Sequence, residues 1–119
     1  MYNKDKYERG DGMSQVLSVD RENFQAEVMD SSIPVLVDFW APWCGPCRMV
    51  APVMEELAQD FADQLKVVKI NVDENSALAS QYNVMSIPAI MLFKNGQVVE
   101  QMVGFKPKAA LAAKIQSQL

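Results

Sequence analysis

The segment from Pro34 to Ala41 constrains the fold of this chain more than any other feature. It reads Pro-Val-Leu-Val-Asp-Phe-Trp-Ala, with β-branched and aromatic residues at both odd and even positions. Alternate side chains of a strand point to opposite faces of a sheet, so a strand that is apolar at both sets of positions is covered on both sides. The segment therefore predicts a central strand in a sheet that is covered on both faces.

Strand and helix patterns alternate around this central segment, and Asn95-Gly96 between two apolar runs is a hairpin signal. The predicted strands are Gln15–Val19, Pro34–Ala41, Leu65–Asn71, Ala89–Phe93 and Val98–Met102. The predicted helices start at Asp20 and run to about Met29, continue from the cysteine pair to about Phe61, lie within Asp73–Tyr82, and start at Pro107 and run to Leu119. Their inward-facing residues are predicted to be Phe24, Ala26, Val28, Met49, Val50, Val53, Met54, Leu57, Phe61, Leu111 and Ile115.

This order of elements, β-α-β-α-β-α-β-β-α, predicts a single α/β domain. The early alternation gives parallel strands, and the hairpin adds antiparallel ones. We therefore expect a central mixed β-sheet of about five strands, flanked by about four helices on both faces. The chain has 119 residues and is half apolar, which is enough for a hydrophobic core without disulfide staples.

Charge and hydropathy argue against several classes of function. The net charge of −4 argues against nucleic-acid binding and against docking on an anionic membrane, since both need basic patches. The longest nearly apolar run, from Val84 to Phe93, is too short to cross a bilayer. Residues 1–12 are polar and lack the apolar core of a secretory signal. We predict that they form a disordered N-terminal leader, either an extension or a tag, ahead of a domain over residues 13–119.

Two cysteines, Cys44 and Cys47, follow the predicted central strand with two residues between them. A bond that closes so short a loop removes little entropy from the unfolded chain, so a structural staple explains the pair poorly. If Cys44 is the N-cap of the next helix, the Cys47 amide is the donor available to its sulfur, because Pro46 has no N–H. The helix dipole acts in the same sense, so the pKa of Cys44 should fall from its usual ~8.5 and favour the nucleophilic thiolate. Cys47, one turn further in, should be less exposed and act as the resolving thiol.

Two other interpretations of the cysteine pair stay open at this point. The pair could be half of a zinc site, but such a site needs four ligands, and the chain has no histidine and no third cysteine. The pair could also be two inert buried thiols in a helix. The setting after a buried strand favours redox chemistry over both, and no metal site is predicted.

Asp38 is the only charged residue between Ile33 and Trp43. A carboxyl group buried in such a run should have a raised pKa through desolvation. It could then take the proton from Cys47 when that thiol attacks. The alternative is that Asp38 lies near a strand end and is simply solvated.

The segment from Asp38 to Cys47 resembles the active-site segment of the thioredoxin family nearly residue for residue. Further matching segments follow in family order: Ala51-Pro52, Lys69–Asp73, Ser86–Pro88, Phe93–Gly96 and Val103-Gly104. The resemblance extends from about Gln15 to Leu119 and implies the thioredoxin fold. The Gly45-Pro46 pair resembles the reducing members of the family, whereas isomerases and oxidases of this fold usually carry a histidine there.

The resemblance also implies roles for individual residues. Gly45 and Pro46 would tune the dithiol, and Lys69 would be the partner of Asp38. Pro88 would be a cis-proline facing the dithiol, although a proline at the start of a strand also fits the sequence. The residues implied in target binding are Trp43, Val72, Ser86, Ile87, Val103 and Gly104.

Taken together, the resemblance implies a dithiol–disulfide oxidoreductase that reduces target proteins through a mixed disulfide at Cys44. The expected partners are disulfide-containing proteins and a thioredoxin reductase. We expect no bound cofactor besides the Cys44–Cys47 disulfide itself, since the chain lacks a glycine-rich dinucleotide motif. A cytoplasmic monomer is expected. The rival hypotheses are a binding subunit that uses the same face, a specialised oxidase or isomerase, and a metal or cluster scaffold.

Overall fold

The computed structural model describes residues 14–119, so the predicted leader over residues 1–12 lies outside the described residues. The strands are β1 (Leu17–Ser18), β2 (Val35–Trp40), β3 (Lys66–Asn71), β4 (Ala89–Lys94) and β5 (Gln97–Val103). The helices are a π-helical segment (Gln25–Met29), α1 (Gly45–Asp60), α2 (Ser76–Gln81) and α3 (Lys108–Gln116). The order of elements is the predicted one. Within the described residues, no helix is both long and apolar enough to cross a membrane.

The five strands form one mixed sheet in the order β1-β3-β2-β4-β5. Strands β1, β3 and β2 are parallel, while β4 runs antiparallel to both β2 and β5. The mixed sheet is therefore confirmed, and β2 is its central strand. Because β2 hydrogen-bonds to a neighbour on each side, its carboxyl end, which leads into the cysteine pair, is held from both sides.

The side chains of β2 alternate between two hydrophobic cores, as its apolar pattern predicts. Val35, Val37 and Phe39 pack in the core beneath the π-helical segment and α2. Leu36 packs in the opposite core, which α1 and α3 cover. Asp38 is two residues beyond Leu36, so it points to the side of the sheet that α1 covers. This alternation places a carboxyl group beneath the helix that carries the cysteines.

The buried face of α1 differs from the predicted one at a single residue. Val50, Met54 and Leu57 are buried as expected, but Met49 is 60% exposed. Cys47 is buried and fixes which side of the helix faces the sheet. Met49 follows it by two residues, so it lies on the opposite side of the helix. The other members of its predicted row, Val53, Leu57 and Phe61, do pack in the core, so the prediction is wrong for Met49 alone.

The first helical region also differs from the prediction. Asp20 does form a cap, because its Oδ1 accepts the backbone N–H groups of Glu22 and Asn23 at 3.0 and 3.2 Å. This cap holds a turn, and the regular helical segment starts later, at Gln25, with π-type bonding. Ala26 is exposed, contrary to the prediction, since the wider π-helical turn brings Phe24, Val28 and part of Met29 to the core instead.

The hairpin and the last helix agree with the sequence pattern. Asn95 and Gly96 both have positive φ, 54° and 77°, which is the signature of a type I′ turn. Helix α3 has Pro107 as its N-cap, and its Leu111 and Ile115 are fully buried. The first strand is shorter than predicted, since only Leu17 and Ser18 pair with β3.

Candidate active site

Cys44 is the N-cap of α1, as predicted, with extended backbone angles of φ −91° and ψ 113°. The Cys47 N–H donates to the Cys44 sulfur at 3.1 Å. Pro46 lies at the second helical position and offers no competing amide. The two cysteines form a disulfide with their Cα atoms 5.2 Å apart. The amide that bonds the sulfur in this disulfide is also aligned to stabilise a thiolate at the same position.

The exposure of the two cysteines does not distinguish their roles. Cys44 is 4% exposed and Cys47 is 3% exposed, so the predicted difference in burial is absent. Both residues lie in the same small cluster because the N-terminal turn of α1 rests on the sheet. The N-cap position, and not solvent access, therefore marks Cys44 as the sulfur with the favoured negative charge.

The Ile87–Pro88 peptide bond is cis and faces the dithiol, as the resemblance implied. The Ile87 carbonyl oxygen lies 3.7 Å from the Cys44 sulfur. On the other side of the cis-proline, the Gly104 N–H donates to the Pro88 carbonyl at 2.8 Å. Gly104 has a positive φ of 86°, a conformation that glycine adopts without strain. The backbone at Ile87-Pro88, next to the Cys44 sulfur, is therefore contacted both by the cysteine loop and by the loop at Gly104.

Asp38 is 4% exposed, and its Oδ1 has no hydrogen-bond partner within the described residues. Burial raises the pKa of this carboxyl to about 7, and the positive charge of Lys69 partly offsets the rise. Asp38 and Cys47 line one cavity of about 110 Å³, together with Ala51 and Lys69. Asp38 thus faces the turn of α1 that carries Cys47. The alternative that Asp38 is solvated near a strand end is wrong.

Lys69 is the register partner of Asp38 on the neighbouring strand β3. Its Nζ lies 5.3 Å from the centroid of the Trp40 ring, a cation–π distance. The lysine therefore acts on the carboxyl through its charge. Trp40 in turn packs against the two cysteines, so the aromatic ring links the lysine to the dithiol cluster.

An open cleft of about 400 Å³ lies beside the dithiol. Four of the residues implied in target binding line it: Trp43, Val72, Ser86 and Ile87. Two further lining residues, Val84 and Met85, were not among the predicted site residues. Met85 is 91% exposed, and its position just before Ser86-Ile87-Pro88 was the available signal.

Trp43 is 67% exposed, and its indole Nε1–H donates to Asp73 Oδ2 at 3.0 Å. Asp73 was not predicted as a site residue, although it ends the matching segment that starts at Lys69. Val103 and Gly104 do not line the cleft. Val103 is the register partner of Ala89, so these two residues lie on the other side of the cis-proline.

The fold and the site define a class of protein: an α/β redox protein with a disulfide at the N-terminus of a helix, next to a cis-proline and above a buried acid. Within residues 14–119, no cluster of three or more His, Cys, Asp or Glu side chains could hold a metal ion. The disulfide, the cis-proline and the buried acid agree with thiol–disulfide exchange.

Comparison with known proteins identifies the family. The family model described as Thioredoxin matches residues 15–117. The chain is 58% identical over 107 residues to thioredoxin 1 of Synechococcus elongatus, covering 90% of this chain and all of that protein. It is 55% identical to the thioredoxin of Haemophilus influenzae, over 84% of this chain and 94% of that protein. It is also 55% identical to the thioredoxin of Bacillus subtilis, over 82% of this chain and 92% of that protein. The chain belongs to the thioredoxin family, and it is a dithiol–disulfide oxidoreductase of the disulfide reductase type.

Proposed function

We propose that this protein reduces disulfides in target proteins through a mixed disulfide at Cys44 and is then re-reduced by a thioredoxin reductase. The observation that carries the proposal is the hydrogen bond from the Cys47 amide to the Cys44 sulfur at the N-terminus of α1. A thiolate, and not a thiol, attacks a disulfide. A sulfur that is bonded to a helix-capping amide is the better candidate for that thiolate.

In the first step, the Cys44 thiolate attacks one sulfur of the target disulfide. A bond forms between Cys44 and that sulfur, while the target's own disulfide breaks and its second sulfur leaves as a thiolate. In the second step, Cys47 attacks Cys44, the mixed disulfide breaks, and the reduced target leaves. The short separation of the two cysteines, with Cα atoms 5.2 Å apart, supports this closure.

Asp38 would take the proton from Cys47 in the second step. Its pKa of about 7 makes it a base that can hold or release a proton near neutral pH. The cavity shared by Asp38 and Cys47 is large enough for a water molecule to relay the proton. Lys69 would keep enough of the carboxyl ionised, because its charge lowers the pKa of Asp38.

The cleft beside the dithiol would hold the segment of the target that flanks its disulfide. Trp43, Val72, Ser86 and Ile87 line that cleft. The backbone at the cis-proline would pair with the extended target segment, as in edge-strand recognition. Val103 and Gly104 would contact the target on the other side of Pro88, where Val103 is 48% exposed.

The electrons would come from a flavoprotein reductase that draws on a nicotinamide cofactor. The chain itself would carry no cofactor beyond its disulfide, since its sequence has no glycine-rich dinucleotide motif. We propose a cytoplasmic monomer that binds neither nucleic acid nor membranes. One relative of similar identity is a chloroplastic M-type thioredoxin from Chlamydomonas reinhardtii, so location is tested separately by fractionating the source cells.

The proposal is tested by insulin-disulfide reduction driven by dithiothreitol. The wild-type protein should accelerate the precipitation of insulin chains, and Cys44→Ser should not exceed the uncatalysed rate. The double variant Cys44→Ser, Cys47→Ser separates this function from a binding role, which would survive it. A wild type that gives no acceleration would overturn the proposed reductase function.

A further inference from the structure

Methionine exposure within the described residues is concentrated near the dithiol. Met54 and Met91 are each 1% exposed and Met102 is 8% exposed, as expected for core methionines. Met85 is 91% exposed, and Met49 on α1 is 60% exposed. Only Met85 of these two lines the target cleft. An almost fully exposed thioether therefore lies in the surface that a target protein would cover.

A thioether with this exposure is a substrate for peroxides. Its sulfur lone pair attacks one oxygen of hydrogen peroxide, so an S–O bond forms and the O–O bond breaks. The methionine is oxidised to its sulfoxide, and the peroxide is reduced to water. The product is a polar and chiral side chain in place of an apolar and flexible one.

We propose that Met85 is a peroxide-modified site whose oxidation weakens the docking of target proteins. The proposal rests on the function proposed above, because it assumes that the cleft holds the target. Trp43, Val72 and Ile87 give the cleft an apolar lining, so a bound target would bury the side chain of residue 85 with them. A sulfoxide in that position loses water and finds few side-chain donors in the cleft: the Ser86 hydroxyl and the Trp43 indole N–H, which already bonds Asp73. This exchange disfavours the complex.

The modification leaves the dithiol chemistry itself unchanged. Met85 is not in the cluster formed by Ala41, Cys44 and Cys47 with Trp40, Val72 and Ile87. The groups that set the reactivity of the pair are the Cys47 amide, the end of α1 and Asp38, and oxidation of Met85 alters none of them. Reduction of a protein target should therefore fall while reduction of a small disulfide stays the same.

The test treats the disulfide form with hydrogen peroxide, so that no thiolate is available to the oxidant. Catalase then removes the peroxide. Peptide mass spectrometry follows oxygen addition at each methionine, and Met54 and Met91 serve as buried internal controls. Each sample is assayed after reduction with insulin and with cystine, and each variant is compared with its own untreated sample.

Met85 should gain oxygen well before Met54 and Met91, and the KM for insulin should rise on the order of tenfold. Cystine reduction should not change. Met85→Leu should resist the peroxide-dependent loss, whereas Met49→Leu should lose activity as the wild type does. Oxidation of Met85 no faster than that of the buried methionines would overturn the proposal. An oxidised Met85 with an unchanged KM, or an equal loss in Met85→Leu, would overturn it too. Failure of the untreated wild type with insulin would instead overturn the proposed function.

Discussion

Asp38 and Lys69 occupy paired positions on the two central parallel strands, yet the lysine Nζ is held over the ring of Trp40. Within residues 14–119, the Asp38 Oδ1 has no hydrogen-bond partner, and Lys69 acts on the carboxyl through its charge. The lysine charge therefore lowers the pKa of Asp38 without neutralising the carboxyl. Burial is the larger effect, and the pKa remains near 7.

Replacing Lys69 by methionine should raise the pKa of Asp38 further, because the positive charge that lowers this pKa is lost. Carbon-detected NMR titration of the carboxyl in the disulfide form measures this change. Lys66→Met is the matched control on the same strand, since the Lys66 Nζ bonds the backbone and side chain of Glu27. An Asp38 titration midpoint that does not move in Lys69→Met would contradict the prediction.

Asp38→Asn should stabilise the fold at alkaline pH and have little effect at acid pH. The folded pKa of about 7 lies above the ordinary value of 3.8, so the folded protein holds a proton that the unfolded chain releases. The contribution of Asp38 to the free energy of unfolding is therefore complete below pH 3.8, the pKa of the unfolded chain, and is lost as the pH rises through the folded pKa of about 7. The asparagine variant avoids the loss, which amounts to about 4 kcal/mol at most. Urea unfolding of the disulfide form, below pH 3.8 and above pH 7, measures this difference in stability. Equal effects of the substitution at both pH values would contradict the raised pKa of Asp38.

Cys47→Ser should accumulate a covalent complex with target proteins, because Cys44 can still attack but nothing resolves the mixed disulfide. Cys44→Ser should give no such complex. Non-reducing electrophoresis after incubation with insulin distinguishes the two variants. The roles of the cysteines would be reversed if Cys44→Ser formed the stable complex and Cys47→Ser did not.

Asp73→Ala should weaken the reduction of protein targets about threefold, since Trp43 loses the hydrogen bond that orients its exposed indole. Asp73→Asn keeps an acceptor oxygen and should retain nearly full activity. The KM for insulin, measured for both variants, is the relevant quantity. A loss of the same size in Asp73→Asn would point to charge, and not to indole orientation.

Gly96→Ala should destabilise the protein by about 1 to 2 kcal/mol, because the residue has a positive φ of 77° and an added Cβ would lie 3.4 Å from the Met29 carbonyl oxygen. Gly45→Ala is the matched control for stability. Gly45 has no atom within 4 Å of the added Cβ and its φ lies outside the strained positive range. Urea unfolding of both variants should separate them clearly, and equal destabilisation would contradict the argument.

The sequence predicted those features that depend on local spacing. Cys44 caps α1 because Pro46 removes one amide and leaves that of Cys47, and both facts can be read from four consecutive residues. The two-sided burial of β2 followed likewise from its own pattern. The exposure of Met49 did not, because Met49 continues the helical row of Val53 and Leu57, and the spacing alone does not show where the buried part of that row begins. Cys47 packs against the sheet, and Met49 lies two residues further round the helix.

Contacts between segments that are distant in the sequence could not be predicted from residue spacing. The bond between Trp43 and Asp73 links residues 30 positions apart, and it depends on how two loops meet at the edge of the sheet. Met85 is 91% exposed two residues after Asn83, whose positive φ of 56° the helix and strand patterns do not reveal. The cis state of Pro88 could be expected from the family resemblance but not from the local sequence, because trans bonds predominate at X–Pro.

The bond from the Cys47 amide to the Cys44 sulfur has a consequence for the speed of turnover. The donor belongs to the backbone of a helix whose next turns are anchored in the core, so it does not need to travel when the sulfur changes its oxidation state. The oxidised and reduced molecules can therefore share one main-chain framework, with little reorganisation between them. Each turnover would then require little movement of the backbone around the two sulfurs.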